Sequence, residues 1–310
     1  MANINPNLSK PVVKPSSDYV IDGHKIVSRP LAPGLHLTAT PIGNLGDITL
    51  RALNTLAAAD LILCEDTRIT SRLLKRYQIS TPMKPYHDHN GAKVRPKVID
   101  AIKSGKAIAL VSDAGTPLVS DPGYKLVHIL REEDLPVHMS PGVSAPVMAM
   151  ALCGFPSDHF QFCGFLSSKS AARSSSLAQA GDYPGISLFF ESPKRIEKCL
   201  QDAANVIPEA QIAITRELTK QYEEVIRGTA QELLDIIKER GGLKGEITLA
   251  IWPGVAKLIE VDDERVTAAL KEAIKTMPAA KAALEVAKHF HLQKRQLYDI
   301  AVELKNTAKQ

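Results

Sequence analysis

Three segments of the chain, Thr40–Asp47, Ser112–Gly123 and Ser140–Ala145, combine glycine and proline with side chains able to hold a charged ligand, and a fourth, Glu65–Arg68, is charged throughout but for Thr67. Acids dominate them, with Asp47, Glu65, Asp66, Asp113 and Asp121 set against Arg68. That balance suits a cation or a ribose diol better than a triphosphate. Neither Gly-x-x-x-x-Gly-Lys-Ser/Thr nor Gly-x-Gly-x-x-Gly occurs, which disfavours a P-loop or the common dinucleotide site. The pair His87 and His89 invites a metal reading, but two imidazoles on one loop without a third ligand make a poor site. Glu65, Asp66 and Arg68 form either an acid–base cluster or the cap of a following helix. In the second half, Glu191, Lys194, Arg195, Glu217 and Lys220 either meet a substrate or form solvated ion pairs. S-adenosylmethionine carries a sulfonium, an ammonium and a ribose diol, and is one of several ligands that fit the acidic loops.

The elements that would position these loops follow from hydrophobic period. Leu35–Ala39, Leu61–Cys64, Ala107–Val111 and Val137–Met139 read as short strands, alternating with helical spacing at Ile48–Leu56, Thr67–Tyr77, Val94–Ile102 and Ser144–Leu152. Asp47 and Asp121-Pro122 are the predicted helix starts. Such alternation predicts a parallel sheet covered by helices, with ligand loops beyond the strand ends. After Gly154-Phe155-Pro156 the pattern becomes mixed, with strands predicted at Phe160–Phe165, Ile186–Glu191, Gln211–Thr215, Glu223–Arg227 and Glu246–Trp252. Helices at Arg195–Val206 and Thr229–Arg240 lie between them. Three helices close the chain, Asp262–Thr276, Ala279–Phe290 and Lys294–Lys305. The predicted organisation is an unpacked Pro-rich arm (1–33), two α/β domains (34–153 and 154–256) with a cleft between them, and a helical appendage (257–310).

Composition narrows the class without naming a function. The 310 residues are 45% hydrophobic and 23% charged, as in an ordinary globular protein. A net charge of +4 permits a polyanionic partner without demanding one. The four cysteines are dispersed, so neither a disulfide framework nor a zinc site is expected. No membrane span or leader is evident, and a cytoplasmic location is expected.

The motifs resolve further by resemblance. Thr38-Ala39-Thr40-Pro41-Ile42-Gly43-Asn44-Leu45-Gly46-Asp47, Cys64-Glu65-Asp66-Thr67-Arg68, His87-Asp88-His89-Asn90, Ser112-Asp113-Ala114-Gly115-Thr116-Pro117 and Asp121-Pro122-Gly123 occur in order. They are followed by Pro141-Gly142-Val143-Ser144-Ala145, Gly164-Phe165-Leu166, Phe190-Glu191-Ser192-Pro193, Arg216-Glu217-Leu218-Thr219-Lys220 and Lys244-Gly245-Glu246. The set resembles the ribosomal RNA small subunit methyltransferase I family of the tetrapyrrole methylase fold, and the final helices resemble that family's helix-turn-helix appendage. Lys194 departs from it, standing where the family usually carries His.

The resemblance implies two α/β domains holding S-adenosylmethionine between them, usually in a homodimer. It implies methyl transfer to the ribose 2′-hydroxyl of a cytidine in the decoding region of 16S rRNA, within the small ribosomal subunit. By the same analogy Ser112, Asp113, Ala114, Gly115, Thr116, Pro117, Ser144, Ala145, Gly245 and Glu246 are the expected cofactor residues. Glu65, Asp66, Arg68, His89 and Glu191 are the catalytic candidates. Pro41, Gly43, Asn44, Asp47, His87, Lys194, Arg195, Lys220, Lys294 and Arg295 are the substrate candidates, with no metal. The competing readings are a small-molecule methylase on the same fold and a ribosome-binding factor without activity.

Overall fold

The computed structural model describes residues 17–254, 264–290 and 294–307. It opens on a hairpin, β1 (Asp18–Ile21) and β2 (His24–Val27), turned at Asp22-Gly23 with φ of 48° and 81°. Positive φ at both turn residues matches the right-handed twist of the strands. This corrects the expectation of an unpacked arm through residue 33. Tyr19 is buried in one core cluster with Leu53, Leu56 and Tyr77, and the Val20 N–H donates to the Tyr77 carbonyl at 2.9 Å. The prolines flank this hairpin rather than interrupt it.

The first sheet contains β3 (Gly34–Thr38), β4 (Leu61–Cys64), β5 (Met83–Pro85), β6 (Ala107–Leu110) and β7 (Val137–Ser140). Its order is β5-β4-β6-β3-β7, and every pairing is parallel. The helices α1 (Leu50–Ala58), α2 (Thr67–Arg76), α3 (Asp88–Lys103), α4 (Tyr124–Glu132) and α5 (Ala145–Leu152) alternate with these strands. A parallel strand covered on both faces must be apolar throughout, and all four residues of β6 are buried.

Two helix starts differ from expectation. Leu45–Asp47 forms a short 3-10 turn, so the cap of α1 falls to Thr49, whose Oγ1 accepts from the Ala52 N–H at 3.1 Å. Gly123, at φ 133°, precedes α4 in place of Asp121-Pro122; a Cβ there would lie 2.9 Å from Leu110 Cδ2. The loop descends onto the sheet before the helix can begin. His87-Asp88-His89 is also not a loop. His87 caps α3, and its N–H donates to Asn90 Oδ1 at 3.0 Å.

The second sheet is mixed. β8 (Phe160–Phe165), β9 (Ile186–Glu191), β10 (Gln211–Arg216), β11 (Glu224–Gly228) and β12 (Ile247–Trp252) are ordered β11-β10-β12-β9-β8. Only β8 and β9 run parallel. On one face pack α6 (Ser170–Asp182), α7 (Ile196–Val206) and α8 (Ala230–Glu239), around Leu177, Leu200 and Leu233. The Ser- and Ala-rich α6 has only Arg173, Leu177 and Ala180 buried, too sparse an apolar face to stand out as a period. On the other face lies α5, with Ala149 and Cys153 in the same cluster as Ile186, Leu188, Ala213 and Ala250. The last helix of the first half thus packs on the sheet of the second. The helices α9 (Glu264–Thr276), α10 (Ala279–Phe290) and α11 (Lys294–Thr307) share a small core of Val266, Leu270, Ala283, Val286 and Leu297.

Candidate cofactor and active site

The strand order of the first sheet brings the loops after β3 and β6 side by side. Thr40 and Gly115 exchange backbone hydrogen bonds, N–H to O at 2.9 and 3.0 Å. Ser112 is buried beneath them, its hydroxyl donating to the carbonyls of Ala114 and Gly115 at 3.2 and 3.3 Å. Thr116 Oγ1 donates to the Val143 carbonyl at 3.1 Å, which ties in the loop after β7. Asp113 secures the loop after β4, its Oδ1 accepting the Asp66 N–H at 3.0 Å. Four loops at the carboxyl ends of parallel strands therefore form one surface, the usual ligand-binding edge of such a sheet.

The second half closes over that edge. The Asn44 N–H donates to Thr219 Oγ1 at 3.3 Å. A Cβ on Gly43 would sit 2.6 Å from Lys220 Cγ, so glycine lets the lysine stem lie on the loop. Lys220 Nζ donates to Glu217 Oε1 at 2.8 Å and to Glu246 Oε2 at 2.9 Å. Glu217 packs directly on Gly245, where a Cβ would meet its Cδ at 2.4 Å, and Gly245 holds φ 91°. Leu118, Ser120, Glu217 and Thr219 take left-handed backbone at φ 72°, 65°, 50° and 67°. Such conformations persist where surrounding contacts enforce them, and here they cluster on the two sides of the cleft.

Between the halves lies a cavity of about 440 Å³, in the range of small-molecule sites. Asp113–Thr116 and Val119–Asp121 line it from β6, and Ser144–Pro146 from the start of α5. Phe165, Phe190–Pro193 and Gly245–Thr248 line it from the second sheet, with Ile42 at the edge. The phenyl rings of Phe165 and Phe190 pack at 5.3 Å between centroids. Among the described residues, four acids, Asp113, Asp121, Glu191 and Glu246, line this space, and no Lys or Arg does.

The acids differ in what holds them. Glu191 is buried, accepts the Ser192 N–H at 2.7 Å and pairs with Arg195, whose Nη2 is 3.0 Å from Oε2. Asp121 has no cation beside it: burial pushes its carboxyl up to about 6, against a hydrogen bond from Ser112, with Glu65 and Asp113 adding repulsion. Glu217 is held below the usual carboxylate range, first by the hydrogen bond from Lys220.

Of the cofactor candidates, Asp113, Ala114, Gly115, Thr116, Ser144, Ala145, Gly245 and Glu246 line the cavity. Ser112 supports it from behind, and Pro117 does not line it. Among catalytic candidates only Glu191 reaches the cavity wall. Asp66 caps α2, accepting the Arg68 N–H at 2.8 Å, and its paired guanidinium holds the carboxyl down at about 2. Asp66 and Arg68 thus serve cap and ion pair, Glu65 is exposed, and none of the three lines the cavity. His89 is exposed at the start of α3, edge-on to His87 at 5.9 Å, and neither lines the cavity.

Among substrate candidates, Gly43 and Asn44 meet Lys220 and Thr219 at the cleft, whereas Pro41 is buried. Asp47 lies in the 3-10 turn, Lys194 is exposed beside Pro193, and Arg195 is engaged by Glu191. The side chains of Lys294 and Arg295 lie outside the described residues. Val119, Ser120, Asp121, Phe165, Phe190, Ile247 and Thr248 line the cavity without having been singled out as contacts. Motifs containing Phe165, Phe190 and Asp121 are present in the sequence, but spacing does not say which side chains turn inward. Among the described residues, no group of three or more His, Cys, Asp or Glu side chains is placed to hold a metal.

Comparison with known proteins adds a family context. Residues 34–234 match the family model of Tetrapyrrole (Corrin/Porphyrin) Methylases, and residues 260–305 match the RsmI C-terminal HTH domain. The chain is 46% identical to ribosomal RNA small subunit methyltransferase I of Mesorhizobium japonicum, over 92% of this chain and 96% of that one. It is 45% identical to the protein of that name from Erythrobacter litoralis, covering 91% and 99%. The Vibrio cholerae protein of the same name is 42% identical, covering 88% and 95%. The fold resembles diphthine synthase, with a TM-score of 0.56 at 13% identity over 70% of this chain and 89% of that one. It also resembles a cobalt precorrin-4 methyltransferase, with a TM-score of 0.54 at 16% identity, covering 70% and 93%.

Proposed function

The chain belongs to the ribosomal RNA small subunit methyltransferase I family and is an S-adenosylmethionine-dependent methyltransferase, and from that premise we propose that it methylates the ribose 2′-hydroxyl of a cytidine in the decoding region of 16S rRNA. The observation that carries the reading is the cavity between the halves, lined by four acids and no base. A cationic cofactor with a ribose diol fits such a wall, and a triphosphate does not. Phe165, Phe190 and Ile42 supply apolar surface for a purine, and glycine at 115 and 245 lets Ile42 and Glu217 pack against the two loops. When bound, S-adenosylmethionine supplies an electrophilic methyl group on a good leaving group.

The chain's own work is alignment and proton handling. Holding two reactants in line contributes on the order of 7–11 kcal/mol; Thr40–Gly115 joins two loops of the first wall, and Asn44–Thr219 ties that wall to the second. A ribose hydroxyl is a weak nucleophile and gains roughly 10²–10⁴-fold from a positioned base. We assign that role to Asp121, which lines the cavity, is free of any paired cation and has a raised proton affinity. Glu191, committed to Arg195 and the Ser192 N–H, serves instead as a rigid wall. In this reading the enzyme works in the cytoplasm as a homodimer, on the assembled small subunit.

The test combines the purified chain, methyl-labelled S-adenosylmethionine and small subunits from cells lacking the modification. Label in 16S rRNA is the expected outcome. Cofactor binding without transfer to subunits or naked rRNA contradicts the substrate, and points to a small-molecule methylase.

A further inference from the structure

A second concavity lies on the far side of the Lys244-Gly245-Glu246 turn. Its volume is about 530 Å³, and Arg216, Tyr222, Arg240 and Lys244 frame it. Covalent continuity joins it to the cofactor cavity, since Lys244 precedes Gly245; Arg216 precedes Glu217, whose Oε1 accepts the Glu246 N–H at 3.0 Å. The two guanidinium groups are held in place by one carboxylate. Glu224 Oε2 lies 2.7 Å from Arg216 Nε, and its Oε1 lies 2.7 Å from Arg240 Nη1. Arg216 Nη1 also donates to the Lys244 carbonyl at 3.0 Å, which fixes the turn to the strand end.

Three cations against one carboxylate leave the notch with a net charge of +2. Lys244 is exposed, and Tyr222 presents its ring to solvent at 66% exposure. After α8 the chain turns through Gly241 and Gly242, both at positive φ, and the space a Cβ would occupy is open at each. Among the described residues, no side chain fills the space beside these two glycines.

We propose that this notch seats the RNA strand flanking the target nucleotide, taking backbone phosphates on Arg240 and Lys244 and stacking a base on Tyr222. The proposal rests on the reading of the chain as an RNA methyltransferase. Prefixed cations beside an exposed aromatic ring are the features by which proteins hold a single strand without reading its sequence. A protein partner would need an apolar centre, and among the described residues the one aliphatic side chain in the lining is the half-buried Leu243. The acid-lined cavity cannot itself attract a polyanion, so the substrate's charge must be met beside it.

The test compares the full-length chain, the single variant Tyr222→Ala and the triple variant Tyr222→Ala/Arg240→Ala/Lys244→Ala. A charge-matched control, Lys25→Ala/Lys103→Ala, removes two cations elsewhere. Binding to unmodified small subunits and to naked 16S rRNA is measured by filter retention across a salt series, beside thermal unfolding and S-adenosylmethionine affinity. The triple variant is expected to keep its cofactor affinity and bind both RNA forms at least ~10-fold more weakly. Its plot of log affinity against log salt should be shallower by about 1.4, for two lost phosphate contacts on a single strand. KM for subunits should rise while kcat at saturation changes less than about twofold; the single variant should show the weaker affinity with the slope unchanged.

Unaltered affinity and slope in the triple variant, or an equal loss in the control, overturns the notch while leaving the methyltransferase reading intact. Weaker binding to subunits with naked rRNA unaffected also overturns it, in favour of a ribosomal-protein contact. Absence of transfer by the unaltered chain overturns the underlying reading itself.

Discussion

The two concavities flanking Lys244-Gly245-Glu246 share that turn yet have opposite character. One is lined by four acids, no bases and two phenyl rings from the second sheet; the other is framed by two arginines, a lysine and a tyrosine. A single turn separates them, pinned by Glu217 on one side and Arg216 on the other. The difference teaches how one cleft can take two substrates of opposite charge. In the proposed arrangement a sulfonium cofactor enters an acidic recess that would repel RNA, and a phosphate backbone is met outside it. Neither region could serve both partners.

The largest effect should come from the acid side. Asp121→Asn is expected to slow single-turnover methyl transfer by roughly 10²–10⁴-fold. The unaltered enzyme should gain rate as pH rises through about 6, where the Asp121 carboxyl ionises, and the variant should lose that step. Stability carries the opposite sign. A carboxyl whose proton affinity is raised by folding favours the folded state at low pH, and that contribution is lost as pH rises through about 6. Asp121→Asn should therefore be the more stable protein at pH 8, by thermal unfolding, with the advantage vanishing near pH 4.

Next in size is Glu191→Ala. It leaves Arg195 without its carboxylate and the Ser192 N–H without an acceptor in a buried setting, at a cost of about 3 kcal/mol in urea unfolding. A loss below about 1 kcal/mol would show that the wall does not depend on that pair. Third, the dividing turn itself is tested by two glycines. Gly245→Ala drives a Cβ into Glu217 and should weaken cofactor binding at least ~10-fold by calorimetry, because that wall must move. Gly241→Ala, with open space around it, should leave cofactor binding unchanged. Equal effects would mean that the turn is not the boundary described. The smallest effect is expected from Asp66→Asn, since asparagine caps a helix nearly as well as aspartate. Transfer rate should stay within a few-fold, and a loss approaching that of Asp121→Asn would restore Asp66 as a catalytic candidate.

Four strands of the first sheet were legible because each holds a short apolar run, such as Ala107–Leu110; β5 was missed because Met83-Lys84-Pro85 is three residues long and carries a lysine and a proline. Asp113–Thr116 and Gly245-Glu246 were expected at a cofactor by resemblance, and they line the cavity. The β1–β2 hairpin was hidden because prolines dominate its surroundings while only Tyr19 carries the packing. Asp121 appeared as a helix start because Asp-Pro at a first turn is the commoner arrangement; the left-handed Leu118 and Ser120 turn it inward instead. The notch could not be read at all. Its members are separated by as many as 28 residues, and only the antiparallel pairing of β10 with β11 and β12 gathers them.

The central claim is that the methyl group goes to a ribose oxygen of small-subunit rRNA. Small subunits modified by the purified chain can be stripped, their 16S rRNA hydrolysed in alkali and the resistant dinucleotides identified by mass spectrometry. One cytidine-containing dinucleotide, resistant to alkali and heavier by a single methyl group, is the predicted result. A methyl group found only on alkali-sensitive mononucleotides, and so on a base, would contradict it.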